Sequence, residues 1–174
     1  MIDKYIKYIS KFLVLNEEEK EAVIKSLNIK EFRKGTILLK EGQISKEGYF
    51  ILKGCLRKYI IRDGDEITTN FYTEEEWVSS ITSYKQEEPA DHYLSCIEDC
   101  TLIVGHKNSE KEFHKLCQKF PRLEILARNF MESEVSKYQE MLTSYKTDTP
   151  EQRYINLIKN RPELIQRVPL KQLA

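Results

Sequence analysis

The stretch from Gly48 to Tyr72, GYFILKGCLRKYIIRDGDEITTNFY, decides the fold. Two runs rich in β-branched and aromatic residues flank Asp63-Gly64. An Asp-Gly pair suits a tight hairpin, because both central positions tolerate positive φ. Ile67, Thr69 and Phe71 alternate with Glu66, Thr68 and Asn70, which predicts one buried and one wet face. The preceding GYFILKG reads as a short apolar strand between two glycines. Further upstream, FRKGTILLKEGQ places turns at Lys34-Gly35 and Glu41-Gly42 around a strand from Thr36 to Lys40. Short strands are expected again at Tyr93 to Ile97 and Thr101 to Val104. Many short strands with regular turns predict a sandwich or jelly roll.

Helical periods flank this β region. LNEEEKEAVIKSL opens with Asn16 as an N-cap and Glu19 three residues on, a capping box, with Ala22, Val23 and Leu27 as its apolar face. From Ser109 to Phe120 the period is helical, with Phe113, Leu116 and Phe120 on one side. Pro121 is expected to start a long helix. Along it, Ala127, Met131, Val135, Tyr138, Leu142 and Tyr145 follow spacings of four and three, which predicts a dimer seam. Packing of the same stripe onto the β region is the competing expectation. Leu123 and Phe130 offer that region a separate surface. Thr149 caps the next helix, with Pro150 at its first position, Gln152 closing a box, and Ile155, Leu157 and Ile158 as its apolar content. Leu170, Leu173 and Ala174 read as the opening of one more amphipathic helix.

The chain has 174 residues, 40% hydrophobic and 32% charged, with 28 basic and 28 acidic residues. Such a composition builds a core without indicating disorder. The charge balance argues against a protein that coats nucleic acid or membrane over its whole surface. The N-terminus has no signal-peptide pattern, no segment approaches a membrane span, and the four cysteines read as reduced thiols, so a cytoplasmic protein is expected.

Five features in order carry a resemblance: the KGTILLKEGQ turn and strand, the GYFILKGCLRKYI strand pair, the DGDE hairpin, a cassette near Trp77, and the long helix after FPRL. Together they resemble the Crp/Fnr family of bacterial transcription regulators. The resemblance implies an α+β chain: a cyclic-nucleotide-binding-like β-roll over residues 1–120, a dimerisation helix over 121–146, and the start of a winged helix-turn-helix over 147–174. The recognition helix is absent from this sequence, so the DNA-reading head is expected to be cut short here. The implied partners are a second copy of the chain and DNA, with no membrane. Residues 146–174 carry six basic and three acidic residues, a weak lean toward a DNA-facing end.

The family's cassette needs a glycine and backbone N–H groups near the phosphate, a glutamate for the ribose, and an arginine for the phosphate charge. On WVSSITSY, the resemblance puts Ser79 at the glycine position and Ser80 at the glutamate position. Ala90 falls at the arginine position and Asp91 at its small polar neighbour. From Glu74 to Asp91 six acids (Glu74, Glu75, Glu76, Glu87, Glu88, Asp91) face one lysine, Lys85. Neither cyclic AMP nor cyclic GMP is therefore expected as effector, and no cofactor is implied. Two expectations stay open. The pocket is filled by Trp77, Tyr84 and Tyr93, or it holds a neutral or cationic ligand through Ser79, Ser80, Asp91 and His92. In the second case the resemblance has Tyr138 and Gln139 close the pocket.

Other chemistry finds little support. The first cysteine is Cys55, against the N-terminal cysteine clusters of iron–sulfur sensors. Cys96-x₃-Cys100 is not a zinc-ribbon spacing and reads as a pair of buried thiols. His92, His106 and His114 lack the close pairing of a metal-dependent cupin, and no nucleophile with its base is legible, so no enzyme is expected. The reading is a dimeric regulator of Crp/Fnr type. Its alternative is a stand-alone sensory or interaction module that dimerises without binding DNA.

Overall fold

The computed structural model describes residues 2–169 and Gln172, with the backbone alone at positions 107, 145, 150 and 154. The chain divides into two compact units, Met1–Pro121 and Arg122–Ala174. In the first, helices α1 (Ile2–Ile9) and α2 (Glu17–Ser26) precede strands β1 (Ile29–Phe32), β2 (Ile37–Leu39), β3 (Glu47–Lys53), β4 (Leu56–Arg62), β5 (Asp65–Tyr72) and β6 (Trp77–Val78). A short helix α3 (Ile81–Gln86), strands β7 (Tyr93–Cys96) and β8 (Cys100–His106), and helix α4 (Lys107–Lys119) complete it. The strands form two four-stranded antiparallel sheets, β1-β8-β3-β6 and β2-β7-β4-β5. This is the expected jelly roll. Its core lies between the sheets, where Leu39, Tyr49, Ile51, Leu56, Val78, Leu94, Leu102 and Val104 pack together.

The turns explain how the sheet β2-β7-β4-β5 is held in register. Asp63 and Gly64 both have positive φ, 54° and 89°, as the hairpin requires. The N–H of Gly35 donates to the carbonyl of Cys96 at 2.7 Å, and that of Cys96 to Thr36 at 2.9 Å. At the other end of β2, the N–H of Gly42 donates to Ala90 at 2.8 Å, and the N–H of Ala90 donates to Gln43 at 2.8 Å. The segment before β2, β2 itself and the segment after it are thus sewn to residues 90–96.

The alternation expected on β5 fails. Lys58 pairs with Asn70 and Tyr59 with Thr68, so Thr69 is an extra, bulged residue. Phe71 is buried, but Ile67 and Thr69 are exposed. The bulge puts Thr68 and Glu66 on the face of Phe71 and Arg57. There Arg57 Nε donates to Thr68 Oγ1 at 2.8 Å and its guanidinium pairs with Glu66. The buried Arg57 also lies 4.4 Å from the ring centre of Tyr59, which stacks on Tyr93 at 5.0 Å.

The helices follow their caps. The Asn16–Glu19 box forms in both directions at 2.9 Å. Helix α4 begins two residues earlier than expected, because the His106 ring accepts from the N–H of Ser109 and serves as its N-cap. Helix α1 was not singled out in the sequence, where lysines interrupt its apolar residues. Its Tyr5 and Tyr8 rings each sit 4.9 Å from Phe50 on the outer face of β3.

The second unit contains α5 (Leu123–Thr147), α6 (Pro150–Asn160) and α7 (Pro162–Arg167). Helix α5 starts at Leu123 rather than at Pro121, after a turn in which Ile125 N–H donates to Arg122 at 3.0 Å. Leu123 and Leu126 are buried and Ala127 is half-buried, while Met131, Val135, Tyr138 and Leu142 are 58%, 53%, 47% and 57% exposed. The Tyr145 side chain and residues Leu170, Leu173 and Ala174 lie outside the described residues. Thr149 caps α6 by accepting from Gln152 N–H at 3.1 Å, which is one half of the expected box. Asp148 pins the joint between α5 and α6. Its carboxylate accepts from Ser144 at 2.7 Å, Thr147 at 3.1 Å and Asn156 at 3.1 Å, and its carbonyl accepts from Arg153 at 2.7 Å.

Gly54, between β3 and β4, has φ 112°, and a Cβ there would sit 2.5 Å from Cys100 Sγ and 2.9 Å from its Cα. Gly54→Ala is expected to cost about 3 kcal/mol from strain and overpacking together. Gly35→Ala, whose Cβ would meet nothing within 4 Å, is expected to cost only about 1 kcal/mol. Urea unfolding of the two variants checks the difference.

Candidate functional site

The candidate site is the segment from β6 to β7. Strand alternation sorts its side chains, since neighbours along a strand face opposite ways. Val78 pairs with Tyr49 and enters the core, so Trp77, paired with Phe50, faces outward. Its ring centre lies 5.6 Å from Phe50, continuing the aromatic cluster under α1. Leu94 enters the core, so Tyr93 stacks outside on Tyr59. Tyr84 is buried and interacts with Glu110 of α4; burial first, and then that carboxylate, push its hydroxyl up to about 12. The three aromatics expected to fill the pocket therefore do not gather there.

The polar candidates are dispersed. Ser79 is exposed, and its Cβ lies 3.4 Å from where a Cβ on Gly48 would stand. Ser80 caps α3 through its carbonyl, which accepts from Tyr84 N–H at 2.7 Å, and its side chain makes no capping bond. Ala90 is buried in the core cluster with both backbone groups bonded to the Gly42-Gln43 turn. Tyr138 and Gln139 are exposed residues of α5, in the second unit.

Asp91 and His92 do come together. His92 is buried, Asp91 is exposed, and His92 Nδ1 lies 2.6 Å from Asp91 Oδ1. The hydrogen bond from His92 holds the Asp91 carboxyl below its ordinary value. Burial holds the His92 ring below its own, against the pull of Asp91. The consistent state near pH 7 is a neutral imidazole donating from Nδ1 to a carboxylate.

Two residues were not legible in the sequence. Lys58 is half-buried on β4, and its charge lowers both Asp91 and His92. It lies far away in sequence, and the Lys58↔Leu94 register brings it to this segment. Ser83 is buried on α3, and its hydroxyl accepts from Ser45 N–H at 2.8 Å. Three of the six acids are committed elsewhere: Glu74 accepts from Gly54 N–H at 2.8 Å, Glu75 pairs with Lys11 at 2.6 Å, and Glu76 accepts from Thr73 N–H at 2.6 Å. Glu75 thus has a cation beside it, and Glu74 and Glu76 each turn a carboxylate oxygen toward the backbone.

All four cysteines are buried. A hydrogen bond with Cys100, then burial, push the Cys96 thiol far up, so Cys96 is kept as a thiol at neutral pH. Among the described residues, no group of three His, Cys, Asp or Glu side chains could hold a metal, and no helix is long and apolar enough to cross a membrane.

A depressed His92 means that the unfolded chain binds the proton more tightly. Stability is then full above pH 6.5 and falls as pH drops from there through the lower folded value. Asp91 adds a loss at lower pH, below its unfolded value of 3.8. Unfolding between pH 7 and 5 should show a slope of up to about 1.4 kcal/mol per pH unit, and His92→Phe should flatten it.

Comparison with known proteins agrees with this geometry. A search of curated proteins by sequence found no relative. Several solved structures share the fold. The catabolite activator protein of Thermus thermophilus is 16% identical, over 91% of this chain and 71% of that one, with a TM-score of 0.59. The c-di-GMP responsive global regulator CLP of Xanthomonas campestris is 11% identical, over 83% and 72%, with a TM-score of 0.60. A CooA mutant from Carboxydothermus hydrogenoformans is 17% identical, over 84% and 89%, with a TM-score of 0.55. The family model described as "Cyclic nucleotide-binding domain" matches residues 29–119, just over half of the 174 residues. The chain belongs to the cyclic nucleotide-binding domain family.

Proposed function

We propose that this chain is the sensory and dimerising part of a transcription regulator of Crp/Fnr type, and that its β-roll takes neither cyclic AMP nor cyclic GMP at the ordinary position. One observation carries the second half. Ala90, where the resemblance calls for the phosphate-binding arginine, is buried among core side chains and clipped by both backbone groups to the Gly42-Gln43 turn. The residues present do not fit a cyclic phosphate there. Losing such a charge partner costs about 2–5 kcal/mol of binding. Lys58 does not replace it, because its charge already faces Asp91.

The fold supports a regulatory rather than a catalytic role. The exposed apolar residues of α5 at positions 131, 135, 138 and 142 support a homodimer through that helix. DNA binding belongs to this reading through the Thr149-capped helix α6 and the short helix α7, as the approach to a helix-turn-helix. Reading the coding frame past Ala174 tests that part. A basic, capped helix pair there supports it, and a stop codon there overturns it.

Isothermal titration with cyclic AMP and cyclic GMP is expected to show no saturation below about 1 mM. Micromolar binding at the β6–β7 segment would defeat the proposal. Val135→Glu combined with Leu142→Glu is expected to give folded monomers in sedimentation, because a buried unpaired charge is costly. An unchanged dimer would place the interface elsewhere.

A further inference from the structure

A cleft of about 600 Å³ lies between α3 and α4, and its lining does not include Ala90. A volume of this size is ordinary for a small-molecule site. Tyr84 and Lys85 line it from α3, and Glu110, Lys111, His114 and Lys115 from α4. Three ammonium groups thus face one carboxylate, an excess of two positive charges in a chain whose formal net charge is zero. The excess is patterned. Lys111 and Lys115 are four residues apart on α4, and residues four apart share a helix face.

The state of these charges matters more than their number. Lys111 and Lys115 are exposed, and among the described residues neither is in an ion pair. Lys85 is paired with Glu110 at 2.8 Å, but both side chains are more than half exposed, so the pair is easily exchanged. Glu110 also holds the Tyr84 hydroxyl. His114 lies 3.5 Å from Gln118, another residue of the lining, and adds ring nitrogens to the same wall.

We propose that this cleft binds a small polyanion carrying two or more phosphate groups. Lys111 and Lys115, one turn apart, would hold one end. Lys85 would leave Glu110 for the other, since phosphate oxygens are strong acceptors of charge-assisted hydrogen bonds. A singly charged anion leaves part of the excess unmatched and binds more weakly. Lys85 sits on α3, whose Ser83 is bonded to Ser45 N–H. The polyanion would therefore grip, by a different face, the helix that follows Ser79 and Ser80.

The test is titration with sodium pyrophosphate at constant ionic strength. Saturable micromolar binding is expected, and no saturation below about 1 mM overturns the proposal. Lys111→Ala with Lys115→Ala should weaken binding about tenfold or more, while Lys30→Ala with Lys34→Ala removes the same charge elsewhere and should change it little. Equal loss in both pairs means general electrostatic attraction and overturns the site. Glu110→Gln should tighten binding by freeing Lys85, and weaker binding would count against that step. All these positions are exposed, and circular dichroism checks the fold. Cyclic AMP serves as a second probe that separates this inference from the proposed function. Binding abolished by the α4 pair lies in this cleft, whereas binding that survives it lies at the β6–β7 segment and counts against the function instead.

Discussion

Two backbone hydrogen bonds between Ala90 and the Gly42-Gln43 turn help to set which side chains of the run into β7 face inward. They fix the start of the run into β7, and the Gly35–Cys96 and Cys96–Thr36 bonds fix its end. With both ends held, alternation does the rest. Ala90, Leu94 and Cys96 join the core, and Tyr93 is sent to the outer face. The same two bonds hold position 90 against the turn and leave a small apolar side chain in the layer between the sheets. A long cation there would have to leave that layer to find solvent or a ligand, because burying it unpaired is costly.

Much of the fold was legible because its signals are local. Asp63-Gly64 named its own turn, and Asn16 and Glu19 named their capping box. What escaped depends on partners distant in sequence. The bulge at Thr69 is a property of the β4–β5 pair, so the alternation read along β5 alone put Ile67 on the wrong side. Helix α1 has lysines between its apolar residues, and only the Phe50 ring beneath it shows why Tyr5 and Tyr8 sit where they do. The content of the candidate segment was the least legible part. Ala90 lies in the segment where the resemblance put it, but Trp77 turned outward with its strand, and Lys58 arrived from another one.

Charge shows the same difference between counting and placing. The six acids from Glu74 to Asp91 looked like one negative field. In the structure Glu74 and Glu76 satisfy backbone N–H groups, and Glu75 meets Lys11 beneath α1. Their role is to close turns, and a carboxylate oxygen engaged by a backbone N–H has less to present to a ligand. The lysines of α4 are the opposite case. They vanish in a net charge of zero, and Lys111 and Lys115 reappear together once the helix sets them one turn apart on the wall of one cleft.

The joint at Asp148 has a mechanical consequence. One residue receives hydrogen bonds from the last turns of α5 and from two residues of α6, and Thr149 caps α6 in the next position. Such a joint resists bending, because a hinge needs backbone groups free to change their dihedrals, and here they are tied on both flanks. The two helices then act as an angled lever. A twist applied along α5 would arrive in α6 as torque, with little lost to flexure at the corner.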